Sequence, residues 1–448
     1  MATQTFEEAV AEYLERSKAL IEEEAEEGLP PDLPSPFDQS GPPYVAAISL
    51  DSNNIRKYAL SIMDDNPLFI DPSYGKHTKY GSQLAPPPIL ALVRYPSVHG
   101  AIRSGGYPVA NFFSGAAWEY FDVIRMGSRF NSSKVTKDIF EKPGSRGNLI
   151  FLISDVRYWD FHGDLIAKSY GTQISLPVPE MGTSRVMNVE SLGQKMLYER
   201  KQTNYTQEQI EEAVASIESR KHRGAETLYW EDVEVGDKLG PVVLPPFTLQ
   251  DQVSVHSVRF GLNPGDDYGV DQHAFENLFK RMRNDPEGGT RTNPITRWPW
   301  CGETEHEDAI MAAYRQQPGP FDAGVLRVQM PHQLMTNWMG DDGFLRRFYM
   351  AIRKPVYYSD ITSYTGEVVK KFKEIQEGDD KPGGAPGKNQ YYAVGIRIAG
   401  TNQAGEIQSP GTATVYLPSR EGGPVELPIP HPASPPFVPY QTYYKEWY

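Results

Sequence analysis

The chain of 448 residues contains a single cysteine, Cys301, so an intramolecular disulfide and a cysteine-rich zinc site are both excluded. Such scarcity is typical of proteins that work in a reducing compartment. The sequence also lacks any run of about 18 apolar residues, which predicts that no segment spans a membrane. The acidic N-terminus has neither the basic start nor the apolar run of a signal peptide, so we expect a cytoplasmic protein.

Positive charge is in deficit, with 44 Lys and Arg against 58 Asp and Glu and a net charge of −14. This balance argues against nucleic acid and against an anionic membrane as partners, although a local basic patch can still receive an anionic ligand. Neither a GxGxxG motif nor a P-loop occurs, so a nucleotide cofactor has no support. Hydrophobic content of 39% and charged content of 23% are typical of folded globular domains.

A metal site is also not expected. His273 and three nearby acids, Asp266, Asp267 and Asp271, could be mistaken for one. The stretch lacks the regular ligand order of an EF-hand loop and has no second histidine at helical spacing. We therefore predict no bound metal.

Two segments of the chain resemble each other, residues 121–177 and residues 348–419. Each contains an apolar strand, a turn, a polar alternating strand, a long β-rich strand, a hairpin turn and a final strand. The hairpin turns fall on Gly163-Asp164 and Gly405-Glu406. Alternating apolar positions between Gly and Asn turns are typical of antiparallel meanders, so we predict two related sheets.

Helical sequence precedes each sheet, at residues 55–63 and residues 305–316. A helix buried against a curved antiparallel sheet satisfies the apolar faces of both, which predicts an α+β fold in each half. The predicted organisation is an acidic N-terminal helix (1–34), a first domain (35–180), a helical linker (181–226), a second domain (227–425) and a proline-rich tail on the surface (426–448).

Several stretches, in their order and spacing, carry a resemblance to a known family. In the first half they are DDNPLFIDPSYGKHTKYGSQLAPP, WEYFDVIRMG and DVRYWDFHGDLIAKS, and in the second half YWEDVEVGDKLG, EHEDAIMAAY, NWMGDDGFLRR and GTATVYLPSR. The chain resembles the MaoC-like acyl-CoA dehydratases and (R)-specific enoyl-CoA hydratases, and more narrowly their fused double hot dog members. The resemblance implies two hot dog domains, each an antiparallel sheet wrapped around a central helix.

The family pattern of catalytic residues is Asp, then Asn-Pro, then His, then a further Asp. In the first half, Asp64, Asn66 and Asp71 match this pattern, but Phe69 stands in the histidine position. The resemblance therefore implies a degenerate first site without an imidazole. Without that context, the Asp-Asp-Asn-Pro stretch is most often an Asx-type turn.

In the second half, His306 and Asp308 match the His-x-Asp spacing, but Cys301 stands where the pattern has its first Asp. The identity of the catalytic carboxylate therefore stays open among Asp308, which is the best candidate, Asp322, Asp266 and Asp267. The resemblance also implies a backbone amide that polarises the thioester carbonyl, for which Gly324 is the candidate.

The remaining candidates are residues for substrate binding: Asp322, Trp338, Asp341, Arg346 and Arg347. The two arginines begin the densest basic run of the chain, which continues to Lys354 and could receive the phosphates of coenzyme A. Each candidate also has a structural interpretation: His306 and Asp308 as a solvated helix start, Trp338 as a packed turn residue and the arginines as solvated strand ends. His332, within an apolar run, is predicted to be a core histidine.

The resemblance implies reversible hydration of a 2-enoyl-CoA, or dehydration of an (R)-3-hydroxyacyl-CoA, with a bulky or branched acyl group. No cofactor is expected beyond the coenzyme A of the substrate, and the double hot dog chain could form a homodimer. Two alternatives are a non-catalytic acyl-CoA-binding or scaffold subunit of a hydratase complex, and a hot dog thioesterase.

Overall fold

The computed structural model describes residues 4–21, 50–103, 106–144, 147–179, 204–262, 291–292, 299–300, 304–314 and 317–448. Within these residues, no helix combines the length and the apolar character that a membrane crossing requires.

The strands are numbered in chain order. They are β1 (Leu84–Ala85), β2 (Val109–Tyr120), β3 (Ile124–Arg125), β4 (Phe130–Gly144), β5 (Gly147–Asp160), β6 (Leu165–Pro177), β7 (Lys238–Leu244), β8 (Arg291–Thr292), β9 (Pro299–Trp300), β10 (Phe344–Ala351), β11 (Thr362–Gly378), β12 (Gly387–Asn402) and β13 (Ile407–Leu417).

The helices are numbered in the same way. They are α1 (Phe6–Lys18), α2 (Ser52–Ser61), α3 (Pro67–Ile70), α4 (Pro72–Lys76), α5 (Leu90–Val93), α6 (Gln207–Glu218), α7 (Leu249–Leu262), α8 (Thr304–Glu307), α9 (Ala309–Tyr314), α10 (Gly324–Arg327), α11 (His332–Met339) and α12 (Tyr440–Tyr444).

Nine strands form one antiparallel sheet in the order β4-β5-β6-β2-β10-β13-β12-β11-β7. From its centre outward, β2-β6-β5-β4 on one side corresponds to β10-β13-β12-β11 on the other. This twofold pattern confirms the repeat predicted from the sequence, and the fold is two hot dog units joined through one continuous sheet. The predicted hairpin turns are also present, because β5 is followed by β6 across Gly163 and β12 by β13 across Gly405. Both glycines have a positive φ, 88° and 74°, which L-residues with side chains rarely adopt.

The two units meet where β2 pairs with β10, and Trp118 lies opposite Phe348 in this register. Near the end of the seam Gly115 has a φ of 138°, at an irregularity in the pairing of β2 with β6. A Cβ at this position would lie 2.3 Å from the carbonyl oxygen of Met350. Only glycine therefore lets the two units approach so closely.

The helix that packs against the second half of the sheet is α11, which corrects the expectation that the helical sequence at 305–316 takes this place. All residues of α11 except Trp338 are buried, and the helix contacts β7, β10, β11 and β13. The described residues 305–314 of this stretch instead contribute to the short helices α8 and α9. This helix was not predicted from the sequence because Pro331 interrupts the apolar run. Proline is nonetheless tolerated at a helix start, and Pro331 is the N-cap residue of α11.

A continuous core runs through both halves of the molecule. Tyr58 of α2 donates a hydrogen bond to the side-chain oxygen of Gln329 (2.6 Å). His332 lies 3.0 Å from the hydroxyl of Tyr120 and is fully buried. Burial lowers the pKa of His332 to about 3, so the ring is neutral, and the prediction of a core histidine is confirmed.

The two chain ends are part of the folded body. The helix α1 packs through Tyr13, whose hydroxyl lies 2.7 Å from that of Ser175 on β6. The proline-rich tail is not merely a surface segment, since it ends in α12, whose Tyr443 is completely buried. Lys168 donates to the carbonyl oxygens of Pro435 and Pro436, which holds the tail against the first half of the sheet.

Candidate active site

Both halves of the chain contribute to a cavity of about 680 Å³. Strands β2, β4, β5 and β6 line it from the first half. The segment from Glu305 to Gly324 and the end of β10 line it from the second half. Its wall includes apolar side chains from both halves: Phe112, Phe113, Leu149, Phe151, Ile174 and Ile352. The cavity therefore combines an apolar interior with a small set of polar groups, as ligand sites usually do.

His306 lines this cavity. Its Nδ1 lies 2.9 Å from the carbonyl oxygen of Phe321, and its ring packs edge-on against the ring of Phe321 with centroids 4.4 Å apart. A carbonyl oxygen only accepts hydrogen bonds, so Nδ1 carries the proton. In the neutral ring Nε2 is then the nitrogen that can accept a proton. Tyr358 donates to the backbone oxygen of His306 (2.5 Å) and holds the segment in place.

Asp308, the best candidate for the catalytic carboxylate, does not line the cavity. One of its carboxylate oxygens accepts hydrogen bonds from the backbone amides of Ile310 and Met311, each at 2.9 Å. This is the geometry of a residue that caps the start of a helix, here α9. The structure therefore favours the structural interpretation of Asp308 over the catalytic one.

Asp322 lines the cavity, but its carboxylate is engaged elsewhere. Arg327 donates to both of its oxygens, at 2.8 and 2.5 Å, and the backbone amide of Val356 donates a third hydrogen bond (2.9 Å). Both side chains of this ion pair are almost completely buried. Asp322 therefore fixes the cavity wall and is not placed to receive substrate, which corrects the expectation for this residue.

Glu305 is a lining residue that the sequence analysis did not single out. It directly precedes His306 in the run of acids and histidine from Glu305 to Asp308. The family pattern has its catalytic residues at fixed spacings before and after the position of Glu305, and not at that position itself. The adjacency to His306 was the only signal in the sequence that could have identified it.

Gly324, the candidate for the backbone amide, lines the same cavity as His306 and is the first residue of α10. A Cβ here would lie 3.0 Å from the ring of Phe113 and 3.1 Å from Ile352. The absence of a side chain thus keeps the backbone of Gly324 close to the cavity wall from both halves.

The basic residues of the cavity are not those that the sequence analysis chose. Arg346 is buried and pairs with Glu119 (3.2 Å), and Arg347 is largely buried and pairs with Glu374 (2.5 Å). These two arginines are internal ion pairs and cannot be solvated strand ends or phosphate ligands. The cations that line the cavity are Arg94, Lys134, Arg353 and Lys354.

Trp338 and Asp341 lie away from the cavity of His306. Trp338 packs against the core, and its backbone oxygen accepts a hydrogen bond from Arg223. Asp341 accepts a hydrogen bond from the hydroxyl of Tyr74 (2.6 Å), and burial raises its pKa. Asp341 instead lines a second, much smaller cavity of about 50 Å³, together with Asn66 and Phe69 of the first half. The expectation that both residues bind the substrate of the His306 site is therefore wrong.

This small cavity marks the degenerate site of the first half. Asn66 accepts a hydrogen bond from the amide of Leu68, and Asp71 accepts one from the amide of Ser73, so each caps a short helix. Phe69 is buried in an apolar cluster, where the family pattern has its histidine. The Asx-type turn predicted for the Asp-Asp-Asn-Pro stretch is thus present at Asn66, and a core side chain fills the position where the family pattern has its imidazole.

Asp64 is completely buried and accepts a hydrogen bond from the amide of Asn66 (3.1 Å) through one oxygen. Burial raises its pKa to about 6, against the effect of the Asn66 amide and the charge of His222. His222 comes from the segment after α6, and its two ring nitrogens lie 2.6 Å from the side-chain oxygen of Asn337 and 2.9 Å from Asp65. The linker therefore closes over this site.

Three residues named in the sequence analysis as alternatives or departures, Cys301, Asp266 and Asp267, lie outside the described residues. The same holds for Asp271 and His273.

Residues 45–169 match a family model described as the FAS1-like dehydratase domain region. The match covers the first hot dog unit, including its degenerate site. No curated protein matches the chain.

Solved structures of similar fold span most of the chain. A MaoC-like dehydratase covers 83% of this chain and 95% of its own, with 14% identity and a TM-score of 0.50. A Mycobacterium tuberculosis protein described as a double hot dog covers 85% and 99%, with 10% identity and a TM-score of 0.42. The full-length peroxisomal multifunctional enzyme type 2 of Drosophila melanogaster covers 82% of this chain and 47% of its own, with 9% identity and a TM-score of 0.42.

The dehydratase region and the fold of the MaoC-like dehydratase together confirm the resemblance predicted from the sequence. The molecule has a double hot dog fold similar to that of the MaoC-like dehydratase, and of its two equivalent sites the second combines a large cavity with a histidine.

Proposed function

We propose that the protein catalyses the reversible hydration of a 2-enoyl-CoA, or the dehydration of the matching (R)-3-hydroxyacyl-CoA, at the His306 site. One observation carries this proposal: His306 lines a cavity of about 680 Å³ together with apolar and cationic side chains. At the equivalent site of the first half, Phe69 and a cavity of about 50 Å³ leave no room for an acyl chain.

His306 is the base in this reaction. Its Nδ1–H donates to Phe321, which fixes the orientation of the ring and presents Nε2 as the proton acceptor. As Nε2 takes a proton from water, the water oxygen bonds to C3 of the enoyl thioester. The electron pair of the double bond then moves toward the thioester oxygen as an enolate.

Glu305 is the carboxylate that we assign as the acid, because it lines the cavity directly beside His306 in the sequence. Protonated Glu305 donates its proton to C2 as the enolate collapses, and the proton held by His306 then returns to Glu305. The amide of Gly324 stabilises the enolate oxygen, as the resemblance implies for the backbone at this place.

The remaining lining fits the two ends of such a substrate. Apolar side chains of β2, β5 and β6 accept the acyl group, and the closed first site leaves the large cavity to a bulky or branched one. Arg94, Lys134, Arg353 and Lys354 supply positive charge to a phosphate-bearing carrier in a protein whose net charge is −14.

The test is an assay of the purified protein with a panel of straight and branched 2-enoyl-CoA esters. Loss of the absorbance of the conjugated thioester reports hydration, and a free-thiol reagent reports hydrolysis in parallel. We expect hydration without release of thiol. His306→Ala and Glu305→Gln should each lower kcat by about 10²-fold or more, as the loss of a general base or acid does.

His77→Ala is the matched control, since it removes an exposed imidazole of the first half that caps α4 and does not line the cavity. Release of thiol without hydration would support a thioesterase, and no turnover across the panel would support the non-catalytic subunit. Unchanged turnover in His306→Ala would contradict the assignment of the site.

A further inference from the structure

The tail helix α12 forms part of the cavity wall. Tyr440 and Tyr444 line the cavity together with Arg353 and Lys354, at the end of β10. Tyr440 is buried against Phe151, with ring centroids 5.4 Å apart, whereas Tyr444 is 36% exposed. The tail therefore presents an accessible aromatic ring at the place where the basic residues of the cavity lie.

The two tyrosine rings stack on each other, which leaves the opposite face of Tyr444 as its outer face. Their planes are inclined by only 17° and their centroids lie 5.0 Å apart. Tyr443, between them in the sequence, is buried and holds the helix against the sheet through Thr172 (3.1 Å). The orientation of Tyr444 is thus set by a residue that does not itself reach the cavity. A planar ligand can stack on the outer face of such a ring.

Positive charges lie close to these two stacked rings. The ammonium group of Lys142 lies 4.1 Å from the ring centre of Tyr440 and 5.2 Å from that of Tyr444. Arg353 donates a hydrogen bond to the hydroxyl of Tyr444 (2.9 Å) and lies 5.4 Å from its ring centre. Burial lowers the pKa of Lys142, and the nearby charges of Lys445 and Arg353 lower it further. Lys445 and Arg353 are therefore each close enough to Lys142 to repel its charge.

Within the described part of the chain, Lys142, Arg353 and Lys445 form no ion pair with a carboxylate. By contrast, the neighbouring Lys354 pairs with Glu406 (2.7 Å). Three cations without acidic partners around an exposed ring, in a protein of net charge −14, indicate a site for a ligand that is both planar and anionic. A nucleoside phosphate has this combination.

We propose that Lys142, Arg353, Tyr444 and Lys445 form a nucleotide subsite, which holds the adenosine phosphate end of the thioester carrier while the thioester reaches His306. The inference rests on the proposed function, because it assigns the carrier end of that substrate. A protein carrier is disfavoured, since acyl carriers that dock through acidic surfaces would meet a chain of net charge −14.

The experiment measures two quantities in the full-length protein. Binding of adenosine 3′,5′-bisphosphate, the probe for the subsite, is followed by calorimetry. Steady-state kinetics compare an enoyl-CoA with the same enoyl group on N-acetylcysteamine, which lacks the nucleotide. Tyr444→Ala and Lys142→Gln should each weaken binding of the bisphosphate about tenfold and raise KM for the CoA ester by a similar factor, with kcat unchanged. KM for the N-acetylcysteamine ester should not change.

Two variants provide controls. Lys238→Gln removes one positive charge from an exposed pair with Glu367, outside the cavity, and should leave both measurements at the wild-type value. Tyr444→Phe keeps the ring and loses only the hydroxyl contact with Arg353, so it should bind the bisphosphate within about threefold of wild type.

Wild-type affinity for the bisphosphate in both Tyr444→Ala and Lys142→Gln would overturn the subsite. Turnover of an enoyl group on an acyl carrier protein in preference to the CoA ester would overturn it in favour of a protein carrier. Hydration of the N-acetylcysteamine ester without any binding of the bisphosphate would reject the subsite and keep the proposed function. Binding of the bisphosphate that depends on Tyr444, without hydration of either ester, would keep the subsite and reject the chemistry.

Discussion

The two halves of the chain have the same strand order but differ in what they place at the equivalent site. In the second half His306 faces a cavity of about 680 Å³, and in the first half Phe69 lies beside a cavity of about 50 Å³. The backbone around the two sites is nonetheless alike. The amide of Met126 donates to Gln83 in one half, and the amide of Tyr358 donates to Pro320 in the other.

These two hydrogen bonds align Gln83 of the first half with Pro320 of the second. In this register Ala85 is the counterpart of Asp322, and Leu90, five residues later, is the counterpart of Arg327. A buried ion pair at the cavity of the second half therefore corresponds to a buried apolar pair in the first half. The same fold accommodates a buried ion pair at this place in one half and a buried apolar pair in the other. The comparison teaches that the first site differs from the second in more than the missing histidine, because apolar side chains and helix caps form core there.

The largest effect is expected from breaking the ion pair. Arg327→Leu leaves the carboxylate of Asp322 buried with only the amide of Val356 as a partner, and should lower the free energy of unfolding by about 3–5 kcal/mol. The double variant Asp322→Ala with Arg327→Leu copies the first half and should recover most of this loss, because apolar replacement of a whole buried pair is often neutral. Urea unfolding of the single and double variants measures both values.

The double variant also tests the role of Asp322 in the reaction. If Asp322 only fixes the cavity wall, kcat per folded molecule in the double variant should stay within about threefold of wild type. A loss of about 10²-fold in the folded double variant would mean that Asp322 takes part in proton transfer. If Arg327→Leu alone is as stable as the double variant, the result contradicts the contrast between a buried ion pair in the second half and a buried apolar pair in the first.

A smaller effect is expected at the first site. Phe69 is buried among Ala59, Leu68 and Leu84, and Phe69→Ala should cost about 3 kcal/mol of unfolding free energy while hydration by folded protein stays unchanged. The reverse experiment restores the family pattern. Phe69→His in a His306→Ala background should give no hydration, because the adjoining cavity is too small for an acyl chain. Any turnover by this double variant would mean that the first site opens in solution.

The features that could be predicted from the sequence are those that depend on the local order of residues. The repeat, both hairpin turns and the Asx-type turn of the Asp-Asp-Asn-Pro stretch follow from residue order alone, and the structure has them. His306 was found because its spacing to Asp308 matched a family pattern, although Asp308 itself caps α9. The pattern could not predict which of these side chains point toward the cavity.

The basic run of the second half illustrates the limit. Arg346 and Arg347 are bound by Glu119 and Glu374, and Glu119 comes from the other half of the chain. Arg353, a few residues further on, is exposed at the cavity. Strands that are distant in sequence thus decide whether an arginine forms an internal ion pair or is available to bind substrate. The contribution of the tail through Tyr440 and Tyr444 was hidden for the same reason.

The smallest effect concerns Asp64, whose carboxyl is the buried acid left at the rebuilt site. Burial raises its pKa from 3.8 to about 6, so the folded state retains a proton that the unfolded state releases. The stabilisation from this proton is fully present only below the unfolded-state pKa and is lost as pH rises toward and through 6, which lowers the free energy of unfolding by about 3 kcal/mol in all, of which about 2 kcal/mol falls above pH 4. Asp64→Asn keeps an oxygen for the amide of Asn66 and does not ionise.

The free energy of unfolding of Asp64→Asn, measured with urea at intervals from pH 4 to 7.5, should therefore rise relative to wild type by about 2 kcal/mol across this window. Asp71→Asn is the matched control, since Asp71 is an exposed cap and its variant should track the wild-type curve. Parallel curves for wild type and Asp64→Asn would mean that the Asp64 carboxyl is solvated in the folded protein. The first site would then be open to water, and the contrast with the His306 site would lie only in the missing imidazole.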